Sequence, residues 1–243
     1  MILGPGALGR PPPKANTRRQ IRHMELKIEA LAEEFPGLDD SLAEDVFVVR
    51  GFCPPELCSA VVDQAHRAMA QLPHRTEERG LFYSLDVLPT GVETDRIFRS
   101  LEYLPGGKQH WSPEASELFS LLEEFQMRFV VDEADLSESA ERRFQLLHYP
   151  RGGGFFGWHE HPRFPVNYGL ILNLTEQGSN FDQGATEFER EDGSVISAED
   201  VSTVGDLVLF RFDMRHRVSA CDPGADLVFD TNGRWTAVVP IFQ

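Results

Sequence analysis

The segment Leu147-His148-Tyr149-Pro150-Arg151-Gly152-Gly153-Gly154-Phe155-Phe156-Gly157-Trp158-His159-Glu160-His161 ends in two imidazoles two residues apart and is answered downstream by His216 and Arg234. Pro150 to Gly154 cannot sustain a helix, and the aromatic residues that follow favour a pleated surface, so the segment reads as a turn feeding a strand. In an extended chain His159 and His161 project from one face while Glu160 points the opposite way. Two same-face nitrogens plus a third from a distant strand cap one face of a divalent ion and leave the other face open for substrates.

The residues after this pair continue as strands. Tyr168 to Leu174 is a buried-strand run, Gly178 to Gly184 is a turn-rich connection into Ala185-Thr186-Glu187-Phe188-Glu189, and Val204-Gly205-Asp206 is a tight turn into the apolar strand Leu207 to Phe210. The third imidazole, His216, comes shortly after. A last strand, Arg234 to Phe242, places Arg234 and Thr236 on one face.

In this order the parts resemble the iron(II)- and 2-oxoglutarate-dependent oxygenases, in particular their prolyl-hydroxylase-like branch. Tyr149 matches the tyrosine ten positions before the first ligand, His159 that ligand, and Gly184-Ala185-Thr186-Glu187-Phe188 the middle strand. Gly205-Asp206-Leu207-Val208-Leu209-Phe210 matches the next strand, His216 the distal ligand, and Arg234 the arginine that grips the far carboxylate of 2-oxoglutarate. The resemblance covers residues 145 to 242, with a weaker similarity over Val48 to Cys58. It implies an α+β chain with a double-stranded β-helix core, a jelly roll of the cupin kind, and N-terminal helices packed on one face. It also implies iron(II), 2-oxoglutarate as co-substrate and dioxygen, used to hydroxylate or otherwise oxidise an unactivated C–H bond of a small metabolite or amino-acid derivative, with a peptidyl side chain as the other substrate class.

One departure from the pattern stands out. The family's ligating carboxylate is replaced by His161, so the expected ligands are His159, His161 and His216. Glu160 is the competing third ligand, available only if a bulge breaks the strand alternation. Three histidines leave the centre one charge more positive than two histidines and an acid, and imidazole also suits zinc, copper and nickel. Two other readings therefore stay open: a three-histidine iron dioxygenase that needs no 2-oxoglutarate, and a non-catalytic metal-binding domain on the same fold.

Around this centre, Arg234 follows His216 by eighteen residues, and a buried guanidinium with an open side suits a bidentate carboxylate. Thr236 can add a hydroxyl on the same face. Tyr149 is either a phenol donor to the co-substrate or simply core. His148 should face the other side of its strand, and His23, His66, His74 and His110 have no partner at ligand spacing. Arg163, Arg211, Arg215 and Arg217 form a basic cluster that either attracts an anionic substrate or offsets surface carboxylates.

A chain of 243 residues, 41% of them hydrophobic, can bury one substantial core, and one domain over residues 17–243 is expected behind a disordered leader, 1–16. No apolar run reaches membrane-spanning length and the start is too rich in Gly and Pro for a signal core, so a cytoplasmic protein is expected. The net charge of −16 argues against a nucleic-acid substrate. Cys53, Cys58 and Cys221 have no metal-finger spacing and read as packing.

Helices are expected over residues 17–34, 55–71 and 113–129. The apolar stripe Ile21, Met24, Ile28 and Leu31 of the first covers the sandwich or a second copy in a homodimer. Thr76 to Gly107 shows no clear period and reads as a substrate lid.

Overall fold

The computed structural model describes residues 28–88, 95–131, 136–137, 139–162 and 166–242. Residues 28–34 are helical (α1), followed by β1 (Leu38–Ala43), β2 (Val46–Val49) and α2 (Pro55–Gln71). Next come β3 (Glu77–Glu78), β4 (Leu81–Leu88), β5 (Arg96–Tyr103) and α3 (Pro113–Phe125). The second half is strand apart from a 3-10 turn at Ala198–Asp200: β6 (Glu141–Arg142), β7 (Phe144–Tyr149), β8 (Gly154–His159), β9 (Tyr168–Asn173), β10 (Thr186–Glu189) and β11 (Val195–Ser197). It ends with β12 (Leu207–Arg211), β13 (His216–Cys221), β14 (Arg234–Val238) and β15 (Ile241–Phe242).

Strands β7 to β14 form the eight-stranded double-sheet jelly roll that the sequence predicts. One sheet runs β12-β9-β14-β7 and the other β8-β13-β10-β11, with every described pairing antiparallel. β2 and β1 extend the first sheet beyond β12. β5 joins the two, pairing Arg99 to Tyr103 with β7 and Arg96 and Ile97 with β8. One side of the sandwich is thereby closed by backbone hydrogen bonds.

Alternation along the strands divides the apolar residues between two places. Leu101, Tyr103, Leu146, Leu170, Leu172, Leu209, Trp235 and Ala237 face outward and are buried under α2 and α3, which contribute Val61, Val62, Ala65, Leu118, Phe119 and Leu122. Between the sheets lie two smaller groups, Val208, Phe210 and Phe188 in one, and Phe98, Tyr149, Phe181, Val218 and Cys221 in the other. The helices start where capping chemistry puts them. Pro55 and Pro113 occupy first-turn positions, and the Ser112 hydroxyl accepts from the Ala115 N–H at 3.1 Å. In α1, Leu31 is buried and Ile28 packs against the same core, so the described end of its stripe covers this chain's own helical layer. Ile21, Met24 and the leader lie outside the described residues.

Two expectations need correction. Of the expected lid segment Thr76 to Gly107, residues 89–94 lie outside the described residues, and the described part is regular: it supplies two eight-residue strands, β4 and β5, paired along their whole length. Its periodicity was obscured because β5 is covered on both faces and its charged residues find partners there, Arg99 on His148 and Glu102 on Gln145 and Arg143. The third helix stops being α-helical at Phe125 and ends in a π-helical turn, Gln126–Val130, where the Gln126 amide donates to the Val239 carbonyl at 2.7 Å. A buried amide tied to the last strands fixes that wider turn.

Gly205, in the turn before β12, has φ +83°, and a Cβ there would lie 2.2 Å from the Cys53 carbonyl oxygen. Left-handed backbone alone costs a non-glycine residue about 1–2 kcal/mol, and the clash adds to it. Gly205→Ala is expected to lose more than about 2 kcal/mol in urea unfolding. An unchanged midpoint would show that this turn relaxes freely.

Candidate metal centre

His159 ends β8 and His216 opens β13, and the two are paired directly across the ladder. Between His216/His159 and Val218/Phe156 the register slips, two residues of β8, Gly157 and Trp158, standing against one of β13, Arg217. This bulge re-aims the strand. It lets Phe156 and His159, an odd number of residues apart, share one side, with their rings stacked 4.1 Å apart. Trp158 is turned to the outer face, where Arg215 and Arg217 lie 5.2 and 4.7 Å from its ring centre. His161 lies just past the strand end, its N–H donating to the Phe212 carbonyl at 3.3 Å and its ring stacked on Phe212 at 4.5 Å.

The three imidazoles converge, each offering a ligand atom within 4.8 Å of the others. The Nδ1 of His159 donates to the Gly157 carbonyl and that of His216 to the Met214 carbonyl, both at 2.8 Å. That leaves Nε2 of each ring as the free lone pair, as in metal sites whose ligand histidines are oriented by a backbone acceptor. Burial holds all three rings below the usual histidine range, His161 at about 4 and His216 at about 3, with repulsion from His159 acting in the same direction on both. Each is therefore a neutral imidazole at neutral pH, the form a metal needs.

Glu160 is exposed and lines a cleft of about 510 Å³ on the other side, with Glu189, Arg190 and Arg215. The cluster of candidate ligand atoms contains His161 and not Glu160. Among the described residues, the three histidines are the one cluster with metal-ligand geometry, and their donor set suits iron(II) as well as zinc, copper or nickel.

Arg234, on β14, is 2% exposed and pairs across the ladder with Tyr149. It is buried as expected, but the open fork is not there. Its Nε donates to Glu199 Oε1 at 2.6 Å, and its Nη2 to Thr186 Oγ1 at 2.6 Å and Asn173 Oδ1 at 3.2 Å. Nη1 is buried with no partner among the described residues. A guanidinium tied down on one edge and orphaned at one nitrogen fits a carboxylate oxygen at Nη1, but not a bidentate grip. Tyr149, whose ring lies 5.8 Å from the guanidinium carbon, is buried in the inter-sheet apolar group, and burial pushes its phenol up to about 12. It is both core and a neutral neighbour of Arg234. Thr236 is buried, two residues along the same face, opposite Leu147 and Asn173.

The other histidines stand apart from the cluster. His148 does face away from the centre, but it is fully buried, accepting from Arg99 Nε and donating to the Asn232 carbonyl, each at 2.7 Å, while stacked on Trp235. His66 on α2 meets the same guanidinium at 3.1 Å, so these two form a structural tie. The basic cluster is spent on carboxylates: Arg211 pairs with Asp45 and Asp213, Arg215 with Glu189, and Arg217 with Glu187. Arg163 lies outside the described residues. All three cysteines are buried and free.

Glu199, Asn173 and Thr186 escaped notice in the sequence as partners of Arg234. Asn173 left the clearest signal, a polar side chain at an inward position of an apolar strand. Glu199 left none, since it sits in the charged stretch Ala198-Glu199-Asp200.

No protein-family model matches the sequence, and comparison with curated proteins gives no match. Solved structures do match. A prolyl-4-hydroxylase from Pseudomonas putida superposes with a TM-score of 0.56 at 18% identity, over 82% of this chain and 94% of that one. A prolyl hydroxylase from Trichoplax adhaerens, solved with a peptide fragment of the hypoxia inducible factor oxygen degradation domain, gives 0.54 at 14% identity over 93% of both. The jelly roll assembled from β7 to β14 is thus the fold of the prolyl hydroxylases, carried here with three histidines at one point.

Proposed function

We propose that this chain is a non-haem iron(II)- and 2-oxoglutarate-dependent oxygenase with a three-histidine centre, oxidising a C–H bond of a small metabolite or amino-acid derivative. The observation that carries this reading is the placement, on the inner faces of one jelly roll, of three converging neutral imidazoles, two of them with Nδ1 tied to a carbonyl and Nε2 left free, and a buried guanidinium with one nitrogen unpartnered among the described residues. His159, His161 and His216 would hold the ion, which supplies the redox chemistry when bound. Arg234 Nη1 would receive the far carboxylate of the co-substrate, with the neutral phenol of Tyr149 beside it and Thr236 farther along the face. Phe156, Phe210 and Phe212 surround the imidazoles and keep water from their flanks.

A second reading, an iron dioxygenase that dispenses with 2-oxoglutarate, is favoured by one observation: Glu199 already occupies part of Arg234. Nucleic acid is a poor partner for either, given the net charge of −16. A peptide substrate is the alternative to a small molecule, in line with the peptide held by the Trichoplax protein. Among the described residues no helix is long and apolar enough to cross a membrane.

Titrating the iron(II)-loaded protein with 2-oxoglutarate in the absence of oxygen is expected to raise the weak visible charge-transfer absorption of a chelated keto acid. A flat spectrum with iron retained would favour the second reading. A protein that retains zinc and binds no iron would make the domain a metal-binding module.

A further inference from the structure

We propose that Glu199 is a positioning residue and internal counter-ion that sets the charge at the Arg234 end of the site, and thereby weakens the preference for a dicarboxylic over a monocarboxylic 2-oxo acid. The inference rests on Arg234 being the co-substrate anchor.

Glu199 and Arg234 form a buried ion pair, their side chains 5% and 2% exposed. The carboxylate is held from two directions: Oε1 accepts from Arg234 Nε at 2.6 Å and Oε2 from the Thr186 backbone N–H at 2.8 Å. Swinging aside would strand a buried backbone donor as well as a buried cation, so the carboxylate stays when a ligand arrives. Thr186 also accepts from Arg234 Nη2 through its hydroxyl, and Asn173, fixed by donating to the Ser202 hydroxyl at 2.9 Å, takes the same nitrogen. The guanidinium is therefore rigid, with its Nε edge and Nη2 used and Nη1 left over.

An incoming carboxylate meets a neutral pair rather than a bare cation. Attraction to the guanidinium is opposed by repulsion from Glu199 across it, and in a buried setting neither is screened by water. What remains is a hydrogen bond from one nitrogen, in place of the two parallel bonds that make arginine selective for carboxylates. The far end of the co-substrate is consequently read more by fit than by charge, and this site should tolerate a 2-oxo acid whose far carboxylate is replaced by a methyl group.

The test compares 2-oxoglutarate with 2-oxopentanoate, which differ only in that replacement, by calorimetric binding to the iron(II)-loaded protein without oxygen. In the unaltered protein, 2-oxoglutarate is expected to bind less than about tenfold tighter. In Glu199→Gln, which keeps an acceptor for Nε, removes the charge and gives up the acceptor for the Thr186 N–H, 2-oxoglutarate is expected to tighten about tenfold while 2-oxopentanoate is unchanged. A merely structural role would weaken both ligands together, which would overturn the proposal, as would Glu199→Gln binding 2-oxoglutarate no tighter than the parent. If the variant does not fold, the parent decides alone: a preference of about a hundredfold or more, the range of a full charge-assisted fork, overturns it. Absence of binding by either acid to the parent would instead remove the co-substrate reading, and this inference with it.

Discussion

Arg234→Leu is expected to destabilise the fold by about 3–5 kcal/mol, because it leaves Glu199 as a buried carboxylate with no cation. The pair is shielded on both sides, 2% and 5% exposed, so solvent screening does little to soften the loss. Replacing both partners with leucine should recover most of the stability, since two apolar side chains carry no uncompensated charge. Urea unfolding of the three proteins checks this: a single variant within 1 kcal/mol of the parent on the scale of about 3–5 would mean that the carboxylate reaches water. The metal content of the folded fraction should be unchanged, because no atom of Arg234 belongs to the three-histidine cluster.

His216→Ala is expected to weaken metal binding by more than about 100-fold, beyond the 10–100-fold that loss of an outer partner alone costs. His216 is the most buried of the three and its ring is aimed by the Met214 carbonyl, so no neighbour can replace it. Glu160→Gln should leave affinity within a factor of about two, as expected of a surface change away from the ion. Competition with a chelator, read by atomic absorption, measures both. Equal losses in the two variants would place the Glu160 carboxylate on the metal.

Much of this architecture was legible because strand alternation and turn residues are local signals. His159-x-His161, the turn at Pro150 to Gly154 and the apolar runs of β9 and β12 each declare themselves within a few residues. What failed to show was long-range. The charges of β5 hide a two-sided strand because their partners lie some 40 to 50 positions away, as Arg99 and His148 do. Glu199 reads as a surface acid until β14 brings Arg234 to it, thirty-five positions along the chain. The bulge in β8 was equally hidden, and without it the ring of His159 would not lie on that of Phe156. Sequence periodicity reports which face a residue occupies; it does not report which buried polar groups will satisfy each other.

The cross-strand pairing of His159 with His216 gives the three imidazoles unequal stiffness. Two face each other across the β8–β13 ladder, and His216 is also paired on its other side with Phe188 of β10. The third hangs past the strand end on one 3.3 Å backbone bond and a ring stack. Ions of different radius would thus be accommodated by movement of His161 while the other two act as a fixed jaw. Substitutions at Phe212, on which His161 rests, would then alter which ions the centre fits, while substitutions along the β8–β13 ladder would alter how the other two imidazoles are spaced.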